Sequence, residues 1–304
     1  MGWNNVFCGK TPFRINIIMG YYIYVQTLLF DSINTRWDNY QTELKTCRRE
    51  FSEAAVHDFR VATRRLLSSL DLLRAVMPDP GIQKIRRILK DQLDNLDNLR
   101  DVQVLLADIS ETIHEISALQ PFQKYLQRKE KKLLRAAHKE ISSLKIGSVS
   151  RRVNKLSQMI EVSSQPELNA SLFSAVDEAY AIVTQRYAMI DPSRPATIHR
   201  LRIAFKKFRY MIEAIYPILQ NPAPDYTKKL QDYQAAMGEI QDMEVASHEL
   251  ADFEELAPAS YNPEPVRAYY QERHIIALST YIENKNAIIT FWRKAPDQPF
   301  PGEV

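Results

Sequence analysis

Two segments of this chain carry the same arrangement of basic side chains. Val56-His57-Asp58-Phe59-Arg60-Val61-Ala62-Thr63-Arg64-Arg65-Leu66 matches Ile198-His199-Arg200-Leu201-Arg202-Ile203-Ala204-Phe205-Lys206-Lys207-Phe208 column for column. At about 100° per residue, His57, Arg60 and Arg64 fall on one side of a helix. His199, Arg202 and Lys206 fall on the matching side of a second. Opposite them lie Phe59, Ala62, Leu66, Leu70 and Leu73 in the first copy, and Leu201, Ala204, Phe208, Ile212 and Ile215 in the second. Each segment therefore predicts a helix with an apolar face for a core and a basic face for something else. Arg offers a planar fork to phosphate oxygens, Lys a mobile point charge, and His one or two ring N–H donors. A surface face usually mixes both signs of charge. Here acid returns to the basic side only at Asp71 and Glu213. The duplication points to two halves facing one anionic ligand; a solvated face is the alternative for either helix taken singly.

A further basic line follows Pro121. Lys124, Arg128, Lys131, Arg135 and His138 recur at helical steps, with Leu133, Ala137, Ile141 and Leu144 opposite. Five cations in one stripe repel each other. Solvent makes that tolerable, and a polyanion lying along the helix would make it useful. The second half has a weaker counterpart in Arg267 and His274, with Tyr270 between them.

The elements that must position these groups are helices throughout. The pattern predicts helix over residues 13–50, broken near Asp31, then the first basic helix over 52–77 with Ser52 at its start. A helix over 82–98 follows, and Asp101 reads as the cap of another over 102–116. Pro121 opens a long helix to about 144. Residues 146–166 are poorly patterned and read as a linker, with room for a short helix. Helix resumes over 168–190, Asp191-Pro192-Ser193-Arg194-Pro195 breaks the chain, and the second basic helix follows directly and runs to about 219, with a bend at Pro217. Segments 225–240, 242–256 and 265–283 complete the set. A second similarity supports duplication: Leu89 to Leu96 and Leu99-Arg100-Asp101-Val102-Gln103-Val104 pair with Leu230 to Met237 and Ile240-Gln241-Asp242-Met243-Glu244-Val245. Asp101 and Asp242 read as helix caps; tethering a basic side chain is the alternative. The expected organisation is one domain, with helical halves at about residues 14–145 and 168–284, a linker at about 146–167 and a frayed tail from Ala295.

Composition narrows the chemistry. Among 304 residues, 45% are hydrophobic and 25% charged, as in a soluble globular protein. Only 7 glycines occur, which argues against Gly-rich phosphate loops, and the 16 prolines cluster in evident helix breaks. Two cysteines, Cys8 and Cys47, make neither a disulfide framework nor a paired metal motif, which suits a reducing compartment. The apolar run over residues 15–30 falls short of a membrane span and is interrupted by Asn16, Gly20 and Gln26, so it reads as a core helix. The net charge of +3 says little; its arrangement carries the signal. No Walker loop, GxGxxG or HExxH occurs. No close pair of carboxylates stands on a credible catalytic face, and no basic-aromatic alternation suggests a platform for single-stranded nucleic acid. A metal on His57 or His199 is disfavoured by the surrounding Arg and Lys.

VHDFRVATRRL and IHRLRIAFKKFRY, followed by LRDVQV and IQDMEV, resemble the two halves of a CHAD domain, the conserved-histidine α-helical domain. The resemblance spans about residues 14–284. It implies an all-α fold of two helical bundles related by a pseudo-twofold, with a basic surface or channel between them. It also implies binding of inorganic polyphosphate without catalysis, and a place in the cytoplasm at polyphosphate granules. The positions carried over are His57, Arg60, Arg64 and Arg65 in the first half, and His199, Arg202, Lys206, Lys207 and Arg209 in the second. Leu67 departs from the pattern where Arg209 keeps it, so the halves are expected to bind unequally. Many relatives add a triphosphate-processing CYTH domain with an ExExK strand motif, which this chain lacks. No cofactor, metal or membrane is implied. A polyphosphate- or triphosphate-processing enzyme, or a nucleic-acid-binding module, is the alternative.

Overall fold

The apolar faces read from the sequence define the core. Phe59, Leu66, Leu70 and Leu73 of one basic helix are buried, as are Leu201, Phe208, Ile212 and Ile215 of the other. Each such side chain contributes roughly 1.5–3 kcal/mol by leaving water. The computed structural model describes the backbone of residues 13–162, 168–219, 222–295 and 298. Its side chains are described within that range from residue 26 on, except over 162–170. Among the described residues there are nine α-helices and no strand: α1 Phe13–Glu50, α2 Glu53–Val76, α3 Pro80–Thr112, α4 Leu119–Ser143, α5 Gly147–Val162, α6 Leu168–Ala188, α7 Pro195–Ile215, α8 Tyr226–Glu254 and α9 Glu264–Asn284. Short 3-10 turns occupy Tyr216–Ile218 and Lys285–Thr290.

Local chemistry sets several boundaries. The Ser52 hydroxyl accepts a hydrogen bond from the Ala55 amide at the start of α2. Asp79 caps α3 by accepting from the Gly81 amide, with Pro80 in the first turn. Pro217 ends α7 in the 3-10 turn, where the sequence suggests a bend. Between α1 and α2 the chain reverses through Phe51, whose φ of 45° is left-handed and costly for a residue with a Cβ.

Packing joins the two stretches of chain. α1 packs along α2, α6 along α7, and α2 meets both α6 and α7. α3 lies against α2 and α4, as α8 lies against α7 and α9. One large core takes residues from all nine α-helices and from Ile288, Phe291 and Trp292 beyond α9. A second joins Val102, Leu105 and Phe122 to Leu250, Phe253 and Tyr270. Side chains from both stretches thus share both cores.

Four sequence expectations change. α1 runs unbroken past Asp31, because Leu29, Ile33, Trp37 and Tyr40 keep a continuous buried face. α3 and α8 are also unbroken, so Asp101 and Asp242 stand inside helices and cap nothing. No proline interrupts either segment, and Leu96, Leu99, Val102 and Leu105 continue one apolar face through the supposed break. The segment read as a linker contains α5, which buries Val149, Val153, Leu156 and Ile160 against α1 and α3. Residues 163–167 of that segment lie outside the described residues. The second half also reaches beyond Asn284, since Ile288, Phe291 and Trp292 are buried and Tyr226 donates to the Phe291 carbonyl. Most of the tail expected to fray, like Cys8, lies outside the described residues. Cys47 is buried, which pushes its thiol up to about 11. No helix among the described residues is long and apolar enough to cross a membrane.

Candidate functional site

The two basic helices pack against each other, and that contact assembles the site. α2 brings Arg60 and Arg64; α7 brings Arg202 and Lys206. Arg64, Arg202 and Arg60 all belong to the surroundings that depress the Lys206 ammonium. Burial is the larger cause, the neighbouring guanidinium groups come next, and together they pull Lys206 from the ordinary lysine value to about 7. Burial also lowers Arg64 and Arg202, which oppose each other. Like charges are held together here at an electrostatic cost.

Acidic groups on α3 and α8 offset part of that cost. Arg60 is only 3% exposed; it donates to Asp97 at 2.6 Å and to the Leu93 carbonyl at 3.3 Å. Asp97 also stands 3.6 Å from Arg64. Asp101 lies one helical turn further along α3 and feels both Arg60 and Arg202. Asp242 on α8 is the leading counter-charge to Arg202, without a hydrogen bond between them. Burial raises both Asp101 and Asp242 above the usual carboxylate value. Their tethering role, the alternative to capping, agrees with these positions. Arg202 and Lys206 make no ion pair among the described residues, and the Arg202 Nε is buried without a hydrogen-bond partner.

The other expected positions divide by location. His57 is exposed at the edge of α2, its imidazole lowered first by partial burial and then by Arg100. Arg65 is exposed and turns toward α1, lining a small cleft with Arg36, Glu43 and Asp58. Lys207 is half-buried. Arg209 is committed to the fold: it is buried, paired with Glu213 at 2.5 Å, bonded to Gln234 and stacked on Tyr210. His199 sets its Nδ1 against the Gln241 side chain. Its ring lines a cleft of about 800 Å³ between α7, α8 and α9, together with Glu244 and His274.

The α4 stripe lies on another surface. Lys124, Arg128, Lys131, Arg135 and His138 are all exposed, and the first four make no ion pair among the described residues. Lys129, off the stripe, does pair with Glu249 at 2.5 Å. The opposite face of α4 buries Phe122, Leu126, Ala137 and Ile141. α4 packs mainly on α3, and His138 meets the Phe51 ring edge-on. The expected counterpart on α9 is not free: Arg267 forks onto Glu254.

Sequence reasoning missed Asp97, the carboxylate that holds Arg60. Its signal was available, since Asp97 and Asp101 are four apart and share a helix face. It also placed Arg60 on the open side of its helix, whereas α3 covers that flank. No group of three His, Cys, Asp or Glu side chains among the described residues is arranged to hold a metal ion.

No curated protein sequence matches this chain. Among solved structures it is similar to the crystal structure of the CHAD domain from the plant Ricinus communis. The TM-score is 0.63 at 20% identity, covering 88% of this chain and 89% of that one. The likeness establishes the all-α fold. The CHAD domain family model matches residues 32–251, which include both basic helices and the acidic helices that hold them. With that match covering most of its length, the chain belongs to the CHAD domain family.

Proposed function

We propose that this protein binds inorganic polyphosphate on the basic cluster where α2 meets α7 and does not turn it over. The observation that carries the reading is the meeting of Arg64 with Arg202 and Lys206, the last two lacking any ion pair among the described residues. The nearby carboxylates form no ion pair with Arg202 or Lys206, and a chain of phosphates supplies closely spaced charges that several cations can share. His57 and His199 stand about one turn before Arg60 and Arg202 respectively and would add ring N–H donors. A pseudo-twofold arrangement of two bundles belongs to this reading, supported by the repeated sequence motifs and the contact between α2 and α7. The α4 stripe would engage the outer part of a long chain. A cytoplasmic location at polyphosphate granules goes with this reading.

The deciding experiment is a titration with polyphosphate, single-stranded RNA and ATP side by side. Neutralising several phosphates releases counterions, so raising salt from about 50 to 200 mM should weaken polyphosphate binding by orders of magnitude, by analogy with nucleic acids. Binding that ignores salt, or RNA bound equally well at equal phosphate, would overturn the reading. Release of orthophosphate on adding Mg²⁺ would replace it with a hydrolytic one.

A further inference from the structure

The two basic helices are matched, but the acidic helices that face them are not. The register that pairs Asp101 with Asp242 and Leu96 with Met237 sets Asp97 opposite Gly238. The structure gives each of these residues the corresponding neighbour. Asp97 bonds Arg60, and a side chain at Gly238 would begin 4.0 Å from the Arg202 Nε. One half thus has a carboxylate on its arginine where the other half has no side chain at all.

The consequences appear in the two arginines. Arg60 is buried, with its guanidinium divided between Asp97 and the Leu93 carbonyl. Arg202 is less deeply covered, has no ion pair among the described residues and leaves its Nε unpartnered. Arg64 follows Arg60 in approaching Asp97 at 3.6 Å, whereas Lys206 makes no ion pair among the described residues and feels Asp97 only at longer range. Glycine inside a helix costs about 1 kcal/mol relative to alanine. Gly238 sits well within the 29 residues of α8, far from either end. Ordinary contact distance would admit a Cβ there, so steric exclusion does not account for the glycine. An alanine would withhold a carboxylate from Arg202 equally well, so what distinguishes the position from Asp97 is the missing acid.

We infer that Gly238 and Asp97 divide the labour of the basic cluster: Gly238 leaves Arg202 and Lys206 without an ion pair as the primary phosphate contacts, while Asp97 pairs with Arg60 and Arg64 as a resident counter-charge. The inference rests on the polyphosphate reading and deepens it by assigning the ligand to the second half. Phosphate reaching the first half must compete with Asp97. The cluster therefore binds chiefly from its α7 side, and its affinity is set by two residues that need not touch the ligand.

The test uses the full chain and tripolyphosphate, followed by calorimetry at low salt. Gly238→Asp should pair with Arg202, raise the melting temperature and weaken binding about tenfold, the effect of roughly one pK unit of charge interaction. Gly238→Ala adds the Cβ without the charge and should bind nearly as wild type. Asp97→Asn keeps a hydrogen-bond acceptor for Arg60, removes the counter-charge and should strengthen binding several-fold. If Gly238→Asp binds like wild type, or Gly238→Ala loses as much as Gly238→Asp, the assignment is overturned. Should Gly238→Asp fail to fold, Asp97→Asn decides alone, and unchanged affinity there refutes the counter-charge. Wild type that binds no phosphate chain refutes the functional reading itself; normal wild-type binding with unresponsive variants refutes only the division between halves.

Discussion

Lys206 gives the sharpest expectation, because its proton is coupled to the ligand. In the free protein, burial together with Arg64 and Arg202 brings this ammonium to about 7. A bound polyanion opposes those guanidinium charges and raises it again. Binding therefore takes up a proton, and affinity falls as pH rises through 7. If the complex requires the charged form, the competent fraction drops from about 90% at pH 6 to about 10% at pH 8. That is about tenfold in affinity, or roughly 1.4 kcal/mol. His57 is lowered in the free protein as well, so protonation of its ring adds to the gain on the acid side. The assay is calorimetry with long-chain polyphosphate at fixed ionic strength. Buffers of differing ionisation heat would count the protons, and long chains keep titrating chain ends a small part of the signal. Proton uptake near half at pH 7 should approach one at pH 8. Lys206→Arg stays charged throughout and should flatten the profile between pH 7 and 9, while His57→Gln should remove only the acid-side gain. A flat wild-type profile, or a Lys206→Arg variant that keeps the full slope, would refute the coupling.

Other expectations follow from the same geometry. Lys206→Met should weaken polyphosphate binding yet stabilise the protein at pH 6 by about 1 kcal/mol or more, since it removes a crowded buried charge. The Lys206 pKa is depressed in the folded state, so the destabilisation is complete below about 7 and fades as pH rises toward the unfolded value; melting curves should show the gain shrinking by pH 9. Arg60→Glu should cost about 3 kcal/mol or more, by setting a second acid against Asp97 in a buried position; urea unfolding measures this. Neutralising Lys124, Arg128, Lys131 and Arg135 to Gln should leave the melting temperature unchanged, because all four are exposed. It should reduce the salt slope for long chains by about 3, at 0.7 to 0.9 per phosphate contact. Trp292→Ala should cost about 3–5 kcal/mol by opening a cavity beside Phe208, which chemical denaturation would detect.

Much of the fold was legible because helical periodicity is local. Phe59, Leu66 and Leu70 announce their buried face by spacing alone, as do Leu201, Phe208 and Ile212. The duplicated basic face was equally plain, and so was the exposure of the α4 stripe, since the apolar residues opposite it had to be the ones buried. Asp101 and Asp242 were misread as caps because aspartate at a helix start and aspartate inside a helix look alike until the axial continuity is known. α5 was read only as room for a short helix in a linker because its apolar residues gain meaning only against α1 and α3, and the same holds for Phe291 and Trp292 beyond α9.

The sequence by itself determined which residues are cationic, how often they recur and which helix face each occupies. Those properties follow from side-chain chemistry and a fixed angle per residue. Only the tertiary structure decided which cations remain available. Arg60 and Arg202 occupy the same column of the repeat, yet one is buried on Asp97 and the other lies beside Gly238 with no ion pair among the described residues and its Nε unpartnered. Arg209 has the charge of a phosphate ligand but spends it on Glu213 and Gln234. Lys206 looks like any exposed lysine in the chain, and packing sets it among Arg64 and Arg202 where its proton is held weakly. A charge acquires a function from what it faces across a helix interface, and that distance is not written along the chain.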